Sequence, residues 1–289
     1  MKPMPVIVGA PRSGTTLLRF MLDAHPDLAI PPETAFLRLG PELVARDVTA
    51  DDFARVITGF PESAPAWGDF GIAEDELFDA LHRLEPFTVA DGFRTFYRLY
   101  AARFDKSRWG DKTPLYCKSI GAIRQVLAEA RFVHIIRDGR DAALSLRRMW
   151  FSPGHDIETQ AAYWRDCVTA ARTAGAGRAD YLEVRYETLV QHPGNVLQAI
   201  CGFVELDYDP AMLAYHLRTP ERLTEHKARL RPDGTPLVTR ERRLDQVRLT
   251  TAPPDPSRVA VWKEAMSPDE QRRFSEVAGD LLEDLGYGR

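Results

Sequence analysis

The sequence has few cysteines, and they do not follow the spacing of a metal site. Cys117, Cys167 and Cys201 are odd in number and far apart. None of them belongs to a Cys-x-x-Cys pair or a Cys/His cluster with zinc-site spacing. We therefore expect reduced thiols, with neither a disulfide framework nor a bound metal.

Long apolar runs and an excess of positive charge are also missing. No stretch reaches the about 18 apolar residues that a membrane span needs. The first apolar run, residues 5–8, starts too early to leave room for a signal peptide. A formal net charge of -4 argues against nucleic-acid binding by bulk electrostatics. We expect a cytoplasmic protein with no membrane insertion and no nucleic-acid partner; a homodimer is left open.

The pattern that is present alternates strands with helices. Apolar strand-like runs cover residues 5–8, 131–136 and 181–184, with a short one at 28–30, and helical patterns cover 15–24, 139–150, 157–174 and 193–203. Such alternation predicts an α/β fold with a central parallel sheet covered by helices on both faces, a three-layer P-loop-like fold. A final helix is predicted after Ser267, which with Glu270 forms a capping box.

One domain over residues 1–289 accounts for this pattern more economically than two. Two stretches, at about 38–104 and 207–256, are predicted as mostly helical insertions on the acceptor side of the site. Within the second stretch, residues 218–256 are rich in Arg, Thr and Pro and have weak periodicity. We interpret them as a long excursion over the surface, either a basic wall suited to an anionic ligand or a solvated mobile loop.

A glycine-rich turn, VGAPRSGTT at residues 8–16, follows the first strand. The spacing Gly9-x-x-x-x-Gly14 fits a phosphate-binding loop, which exposes backbone N–H groups at the positive end of a helix. In nucleotide hydrolases a lysine follows the second glycine and reaches the phosphates. Here Thr15 takes that place, and Arg12 is the only cation in the loop. Taken alone, the glycines could equally serve packing.

A second motif, IIRDGRDAALSL, follows the strand at 131–136. Arg137 comes directly after that strand, Asp138 is the predicted N-cap of the next helix, and Ser145 lies eight residues further on. Taken singly, Arg137 could form a surface ion pair, and Ser145 could bond a carbonyl in its own helix. Because carboxyl ends of parallel strands share one edge of the sheet, Arg137 and Arg12 should lie together and suit a ligand with two separated anionic groups.

The two motifs, PRSGTT at 11–16 and RDGRDAALS at 137–145, resemble the cofactor motifs of sulfotransferases that use 3′-phosphoadenosine 5′-phosphosulfate (PAPS). Three further segments, LDAHPDLAIPPET, GDKTP and RYETLVQHP, look most like tyrosylprotein sulfotransferases and their bacterial relatives. The resemblance runs from about residue 5 to 205, with a weaker echo at SRVAVWK. It implies in-line transfer of a sulfuryl group to a hydroxyl or amine, adenosine 3′,5′-bisphosphate as product, and no metal.

The resemblance also implies a role for individual residues. For cofactor binding it points to Arg12, Ser13, Gly14, Thr15, Thr16, Arg137, Ser145 and Tyr186. Ser257, Arg258 and Lys263 are weaker candidates, because the Arg-Lys-Gly motif of many cytosolic members is absent here. For catalysis it points to Glu33 as general base, and to Arg12 and Lys112 acting on the leaving-group charge.

Glu33 has structural and chemical alternatives. A carboxylate beside an anionic cofactor should have a raised pKa, which suits a base. An acidic residue that opens a helix would be favoured by the helix dipole alone. If the base is a histidine instead, His155 and His25 are the candidates. The remaining histidines are interpreted as structural or solvated.

Two other functions stay open at this point. A P-loop kinase for a small metabolite would need a lysine at position 15 and an acidic magnesium ligand where Arg137 stands. A non-catalytic binder of adenosine 3′,5′-bisphosphate would need neither Glu33 nor Lys112. We expect an enzyme whose acceptor is a small molecule.

Overall fold

The computed structural model describes residues 1–288 and is built around one parallel sheet. The strands are β1 (Met4–Val8), β2 (Leu28–Ala29), β3 (Arg108–Trp109), β4 (Asp111–Lys112), β5 (Ala130–Ile136), β6 (Tyr181–Arg185), β7 (Arg229–Leu230) and β8 (Pro236–Val238). The main sheet has the order β4-β1-β5-β6, and every neighbouring pair in it is parallel. The short strands β2 and β3 form a separate parallel pair, and β7 and β8 form an antiparallel hairpin.

Fourteen α-helices are formed within the described residues. They are α1 (Thr15–Asp23), α2 (Gly40–Ala45), α3 (Ala50–Thr58), α4 (Glu74–His82), α5 (Val89–Ala102), α6 (Ile120–Val126), α7 (Gly139–Leu146), α8 (Ile157–Gly175), α9 (Tyr186–Gln191), α10 (Pro193–Phe203), α11 (Thr219–Arg222), α12 (Arg240–Val247), α13 (Trp262–Ala265) and α14 (Pro268–Asp284). Short 3-10 turns join several of them.

The sheet separates two hydrophobic clusters, because side chains alternate between its faces. Phe132 of β5 belongs to the cluster built on α5, α6, α8 and α14. Val133 and Ile135 belong to the other cluster, which α1, α9 and α10 complete. The predicted three-layer α/β fold is therefore confirmed.

Local signals in the sequence predicted several element boundaries correctly. The Asp138 carboxylate accepts a hydrogen bond from the Arg140 N–H and caps α7. Ser267 and Glu270 form the capping box of α14. The helix predicted over 139–150 was too long, since α7 ends at Leu146 and the chain then turns through Ser152 and Gly154. The three cysteines are free and buried, as expected.

Most of residues 218–256 are exposed on the surface, as predicted, but the weak periodicity concealed several regular elements and buried charged residues. This segment contains α11, the β7–β8 hairpin and α12, and it buries Arg222, Glu225 and His226. Arg222 donates to Asp23 Oδ2 at 2.7 Å and to Glu225 Oε1 at 2.8 Å. Burial here depends on ion pairs between distant parts of the chain, which leave no hydrophobic period in the sequence.

Candidate active site

The glycine-rich loop between β1 and α1 contains a polar group that has no hydrogen-bond partner within residues 1–288. Arg12 and Gly14 both have positive φ angles, 71° and 97°. A Cβ on Gly14 would lie 2.5 Å from the Tyr186 ring, so only glycine fits against that ring. The Ser13 hydroxyl is buried and has no hydrogen-bond partner among the described residues. No side chain caps α1. A buried, unpaired donor beside a helix N-terminus fits an anionic group.

Arg137 brings the second motif to the same edge of the sheet. Its Nη1 donates to the Arg12 carbonyl at 3.3 Å, and its Nη2 donates to the Arg258 carbonyl at 2.7 Å. Its guanidinium lies 4.4 Å from the centre of the Tyr186 ring. The Arg137 Nε is buried without a partner in residues 1–288. The prediction that Arg12 and Arg137 share one rim is confirmed.

Ser145 contacts the loop rather than its own helix. Its Oγ accepts a hydrogen bond from Arg12 Nε at 3.0 Å, and Arg12 Nη2 also donates to the Gln246 carbonyl at 3.1 Å. The alternative in which Ser145 bonds a carbonyl one turn earlier is therefore wrong.

Lys112 joins the loop to the predicted base. It ends β4, next to β1, and its side chain is only 4% exposed. Its Nζ donates to Glu33 Oε1 at 2.5 Å and to Thr16 Oγ1 at 3.4 Å. Glu33 keeps 49% of its side-chain surface accessible, and it lines the large cavity of the protein. A buried ammonium thus links the phosphate-binding loop to a carboxylate that a ligand can reach.

Lys112 sets the electrostatics of Glu33 in the protein itself. Burial alone would raise the pKa of the Glu33 carboxyl, but the charge and hydrogen bond of Lys112 and the charges of Arg229 and Arg243 lower it by more, so the net pKa lies below the usual value. The predicted rise beside the anionic cofactor concerns the complex and stays a prediction. Burial also lowers the pKa of Lys112, although the Glu33 charge opposes that shift. Glu33 lies outside any helix, so the helix-opening alternative is wrong as well.

A buried hydrogen-bond network holds the Glu33 segment in place. The Asp111 carboxylate accepts from Thr34 Oγ1 at 2.7 Å and from the Tyr97 hydroxyl at 2.7 Å. Burial raises the Asp111 pKa to about 6. Tyr116 adds a contact to Thr34 at 2.8 Å. None of these residues was predicted from the sequence as part of the site, although Asp111 directly precedes Lys112.

A cavity of about 810 Å³ opens beside the loop, Lys112 and Glu33. Both predicted insertions contribute to its wall. The first, residues 38–104, contributes Arg38, Pro61 and Ala64. The second, residues 207–256, contributes His226, Arg229, Leu237, Arg243, Gln246 and Val247. An apolar part of the wall contains Leu115, Trp150, Phe151 and Tyr163. His226, interpreted from the sequence as structural or solvated, is buried and lines this cavity.

The weaker candidates, which would reach the 3′-phosphate beside Arg137, have side chains that contact neighbours in their own segment. Ser257 Oγ donates to Asp255 Oδ1 at 2.6 Å, and Arg258 Nε lies 3.4 Å from Asp255 Oδ2. Arg258 reaches Arg137 only through its backbone carbonyl. Lys263 Nζ lies 5.9 Å from the centre of the Trp262 ring.

The two alternative histidines do not line the cavity. His155 is exposed, and its Nδ1 lies 3.2 Å from the Arg147 carbonyl. His25 is buried, with one ring nitrogen 2.8 Å from the Asp207 carbonyl and the other accepting from the Asp27 N–H. Neither position is suited to take a proton from a ligand in the cavity.

Neither a metal-binding cluster nor a membrane-spanning helix is present in the part of the chain that the structure describes. No group of three or more His, Cys, Asp or Glu side chains is arranged to hold a metal ion. No helix in residues 1–288 is both long and apolar enough to cross a bilayer.

Comparisons with known proteins agree with this geometry. The model of the sulfotransferase family, Sulfotransfer_3, matches residues 3–210. Nodulation protein NoeE of Sinorhizobium fredii is 28% identical over 99% of this chain and 67% of its own length. Protein-tyrosine sulfotransferase 1 of Danio rerio is 28% identical over 99% of this chain and 73% of its own length.

Solved structures show the same fold. The sulfotransferase domain of the Synechococcus PCC 7002 olefin synthase superposes with a TM-score of 0.64 at 23% identity, covering 97% of this chain and 94% of that domain. The sulfotransferase domain of the curacin biosynthetic pathway gives a TM-score of 0.63 at 18% identity, covering 96% and 97%. These matches leave no support for the kinase alternative. The chain belongs to the sulfotransferase family and is a PAPS-dependent sulfotransferase.

Proposed function

We propose that this enzyme transfers a sulfuryl group from PAPS to a hydroxyl or amine of a small-molecule acceptor that occupies the 810 Å³ cavity. The observation that carries the proposal is the buried Lys112, which contacts both Thr16 of the loop and Glu33 in the cavity wall. Lys112 thus connects the loop that would bind the donor with the carboxylate that would take the proton of the acceptor.

The residues present fit the donor. The free Ser13 hydroxyl and the N–H groups at the start of α1 would hold the 5′-phosphosulfate, with Thr15 and Thr16 adding hydroxyls. Arg137, whose Nε lacks a partner, would bind the 3′-phosphate together with Ser145. Tyr186, whose ring lies against Arg137, would pack near the adenine of the nucleotide. When bound, PAPS supplies an activated sulfuryl group on a phosphate leaving group.

The side chains at the cavity divide the chemistry between them. Glu33, ionised because Lys112 holds its pKa low, would accept the proton of the acceptor hydroxyl. Lys112 and Arg12 would stabilise negative charge that develops on the leaving phosphate. Asp111 and Thr34 act indirectly, since they position the segment that carries Glu33.

A small acceptor is favoured by the shape of the cavity, which has walls from both insertions and an apolar side made by Leu115, Trp150 and Phe151. A tyrosine side chain of a protein is the second candidate, because protein-tyrosine sulfotransferases match 99% of this chain. Two expectations stay predictions of the sequence: a cytoplasmic location and a single domain. A homodimer stays open.

The test compares binding and turnover on one preparation. Calorimetry should show tight binding of adenosine 3′,5′-bisphosphate, and mass spectrometry should detect a gain of one SO₃ on a phenol from a small panel only when PAPS is supplied. A tyrosine-containing peptide is included in the same panel. Sulfation of the peptide but of no small molecule would make protein tyrosine the acceptor. Binding of the bisphosphate without any transfer would favour the non-catalytic binder.

A further inference from the structure

The cavity contains a pair of arginines that share one carboxylate. Arg243 forms two hydrogen bonds with Asp69, Nη1 to Oδ1 at 2.9 Å and Nη2 to Oδ2 at 2.7 Å. Arg229 Nη2 donates to the same Oδ2 at 2.8 Å, and the Lys227 N–H donates to Oδ1 at 3.2 Å. Two guanidinium charges on a single carboxylate leave one positive charge without a partner.

Arg229 is the less satisfied member of the pair. It makes a single hydrogen bond through Nη2, while its Nε is buried without a partner in the described part of the chain. An arginine has five N–H donors arranged to bind a carboxylate with two parallel hydrogen bonds. Both Arg229 and Arg243 line the cavity, so a ligand there would meet their guanidinium groups.

The remaining cavity wall does not supply the missing negative charge. Among residues 1–288, Glu33 is the only carboxylate that lines this cavity, and it is already paired with Lys112. Arg38 and Lys118 add two further cations to the wall. Arg229 and Arg243 are close enough to Glu33 for their charges to lower its pKa. The excess positive charge therefore lies within the acceptor space, near the base.

Part of the cavity lining is apolar. Leu115, Trp150 and Phe151 line the cavity and keep 45%, 39% and 40% of their surfaces exposed. Large apolar side chains exposed in a group mark a binding surface for an apolar ligand. The cavity thus combines an apolar side, a cationic pair and a base.

We propose that the acceptor is a small hydroxy acid, with an apolar or aromatic body and a carboxylate that binds Arg229 and Arg243 while its hydroxyl faces Glu33. This inference rests on the proposed function, since it assigns the same cavity to the acceptor. The arginine pair then determines specificity, because a neutral analogue would leave the excess charge unpaired.

Calorimetry with a matched pair of ligands tests this assignment. The full chain is first saturated with adenosine 3′,5′-bisphosphate, so that the loop is filled. It is then titrated with 4-hydroxyphenylacetate and, separately, with neutral 4-hydroxyphenylacetamide. We expect the acid to bind at least about tenfold more tightly than the amide, as for a charge-assisted hydrogen bond, and to weaken as salt is added.

Variants locate the effect. Arg229→Gln should abolish the preference for the acid, and Arg229→Lys should keep part of it. Arg231→Gln is the matched control, because Arg231 lies in the same β7–β8 hairpin but its side chain bonds only Thr235 and the Pro236 carbonyl. A thermal melt of each variant checks that the Asp69 contacts still hold the hairpin.

Equal binding of acid and amide, or binding of neither up to their solubility limits, would overturn the inference. So would an unchanged preference in folded Arg229→Gln. In each case the proposed function still stands if the bisphosphate binds, whereas failure of the wild-type protein to bind the bisphosphate would instead remove the proposed function.

Discussion

Arg12 and Ser145 are separated by 133 positions in the chain, yet Arg12 Nε donates a hydrogen bond to Ser145 Oγ at 3.0 Å. The contact joins the loop proposed for the 5′-phosphosulfate to the helix proposed for the 3′-phosphate. Ser145 accepts in this contact, so it can keep the bond and still donate its own O–H to a phosphate. The two motifs are therefore in direct contact at the proposed donor site.

Arg137→Ala should weaken binding of adenosine 3′,5′-bisphosphate by roughly ten- to a hundredfold, because a charge-assisted hydrogen bond is worth about 1.5–3 kcal/mol. Binding of AMP, which lacks the 3′-phosphate, should change little. Calorimetry on both nucleotides measures the difference. Arg131→Ala is the control, since Arg131 lies near the start of β5, at the end away from Arg137. Equal affinity of the wild-type protein for AMP and the bisphosphate would contradict the assignment of Arg137.

Glu33→Gln should leave affinity for the bisphosphate within about twofold but lower kcat by about 10²–10⁴, the usual loss for a general base. Because the Glu33 pKa lies below its ordinary value of 4.5, the acidic limb of kcat/KM for the wild-type enzyme should lie below that pH. The limb should vanish in the variant. Glu42→Gln, an exposed change in α2, is the control. A variant that keeps more than about a tenth of kcat would mean that the base lies elsewhere.

Lys112→Ala should also lower kcat, since it removes a positive charge near the leaving group. Unlike Glu33→Gln, it should keep the acidic limb and move it to higher pH, because Lys112 lowers the Glu33 pKa. The pH–rate profile of kcat/KM distinguishes the two variants. An acidic limb that stays at its wild-type position would show that the Lys112–Glu33 pair does not form in solution.

Turnover should survive an excess of EDTA. The proposed chemistry relies on Lys112, Arg12 and the loop N–H groups for charge stabilisation, and it assigns no step to a metal ion. Sulfation rates measured before and after chelation test this expectation. Complete loss of activity that added magnesium restores would require a metal site that this mechanism lacks.

Arg222→Met should destabilise the protein by about 3–5 kcal/mol, because it leaves the buried Asp23 carboxylate without its ion-pair partner. Burial raises the Asp23 pKa, but Arg222, Lys106 and Arg19 lower it more, so it lies below 3.8. A depressed folded-state pKa contributes stability that is present above the unfolded pKa and is lost as pH falls through the folded value. Chemical unfolding at pH 7 and at pH 3 measures both effects. Arg248→Met, which removes an exposed ion pair with Asp245, should change stability little.

The sequence by itself determined the elements that carry the donor site. Apolar runs and capping residues gave β1, β5, α7 and α14, and the rule that parallel strands end at one edge placed Arg12 beside Arg137. These features depend on neighbours along the chain or on the regular geometry of a sheet. Both are readable from residue order.

Only the tertiary structure decided which side chains meet. Asp69 binds Arg229 and Arg243 across separations of 160 and 174 positions, and Glu33 meets Lys112 across 79. Such ion pairs follow no helical or strand period, so residues 218–256 resembled a solvated surface segment. The same kind of pairing lowers the pKa of Glu33 in the protein itself, because the sign of a pKa shift depends on which charge lies nearest in space rather than in sequence.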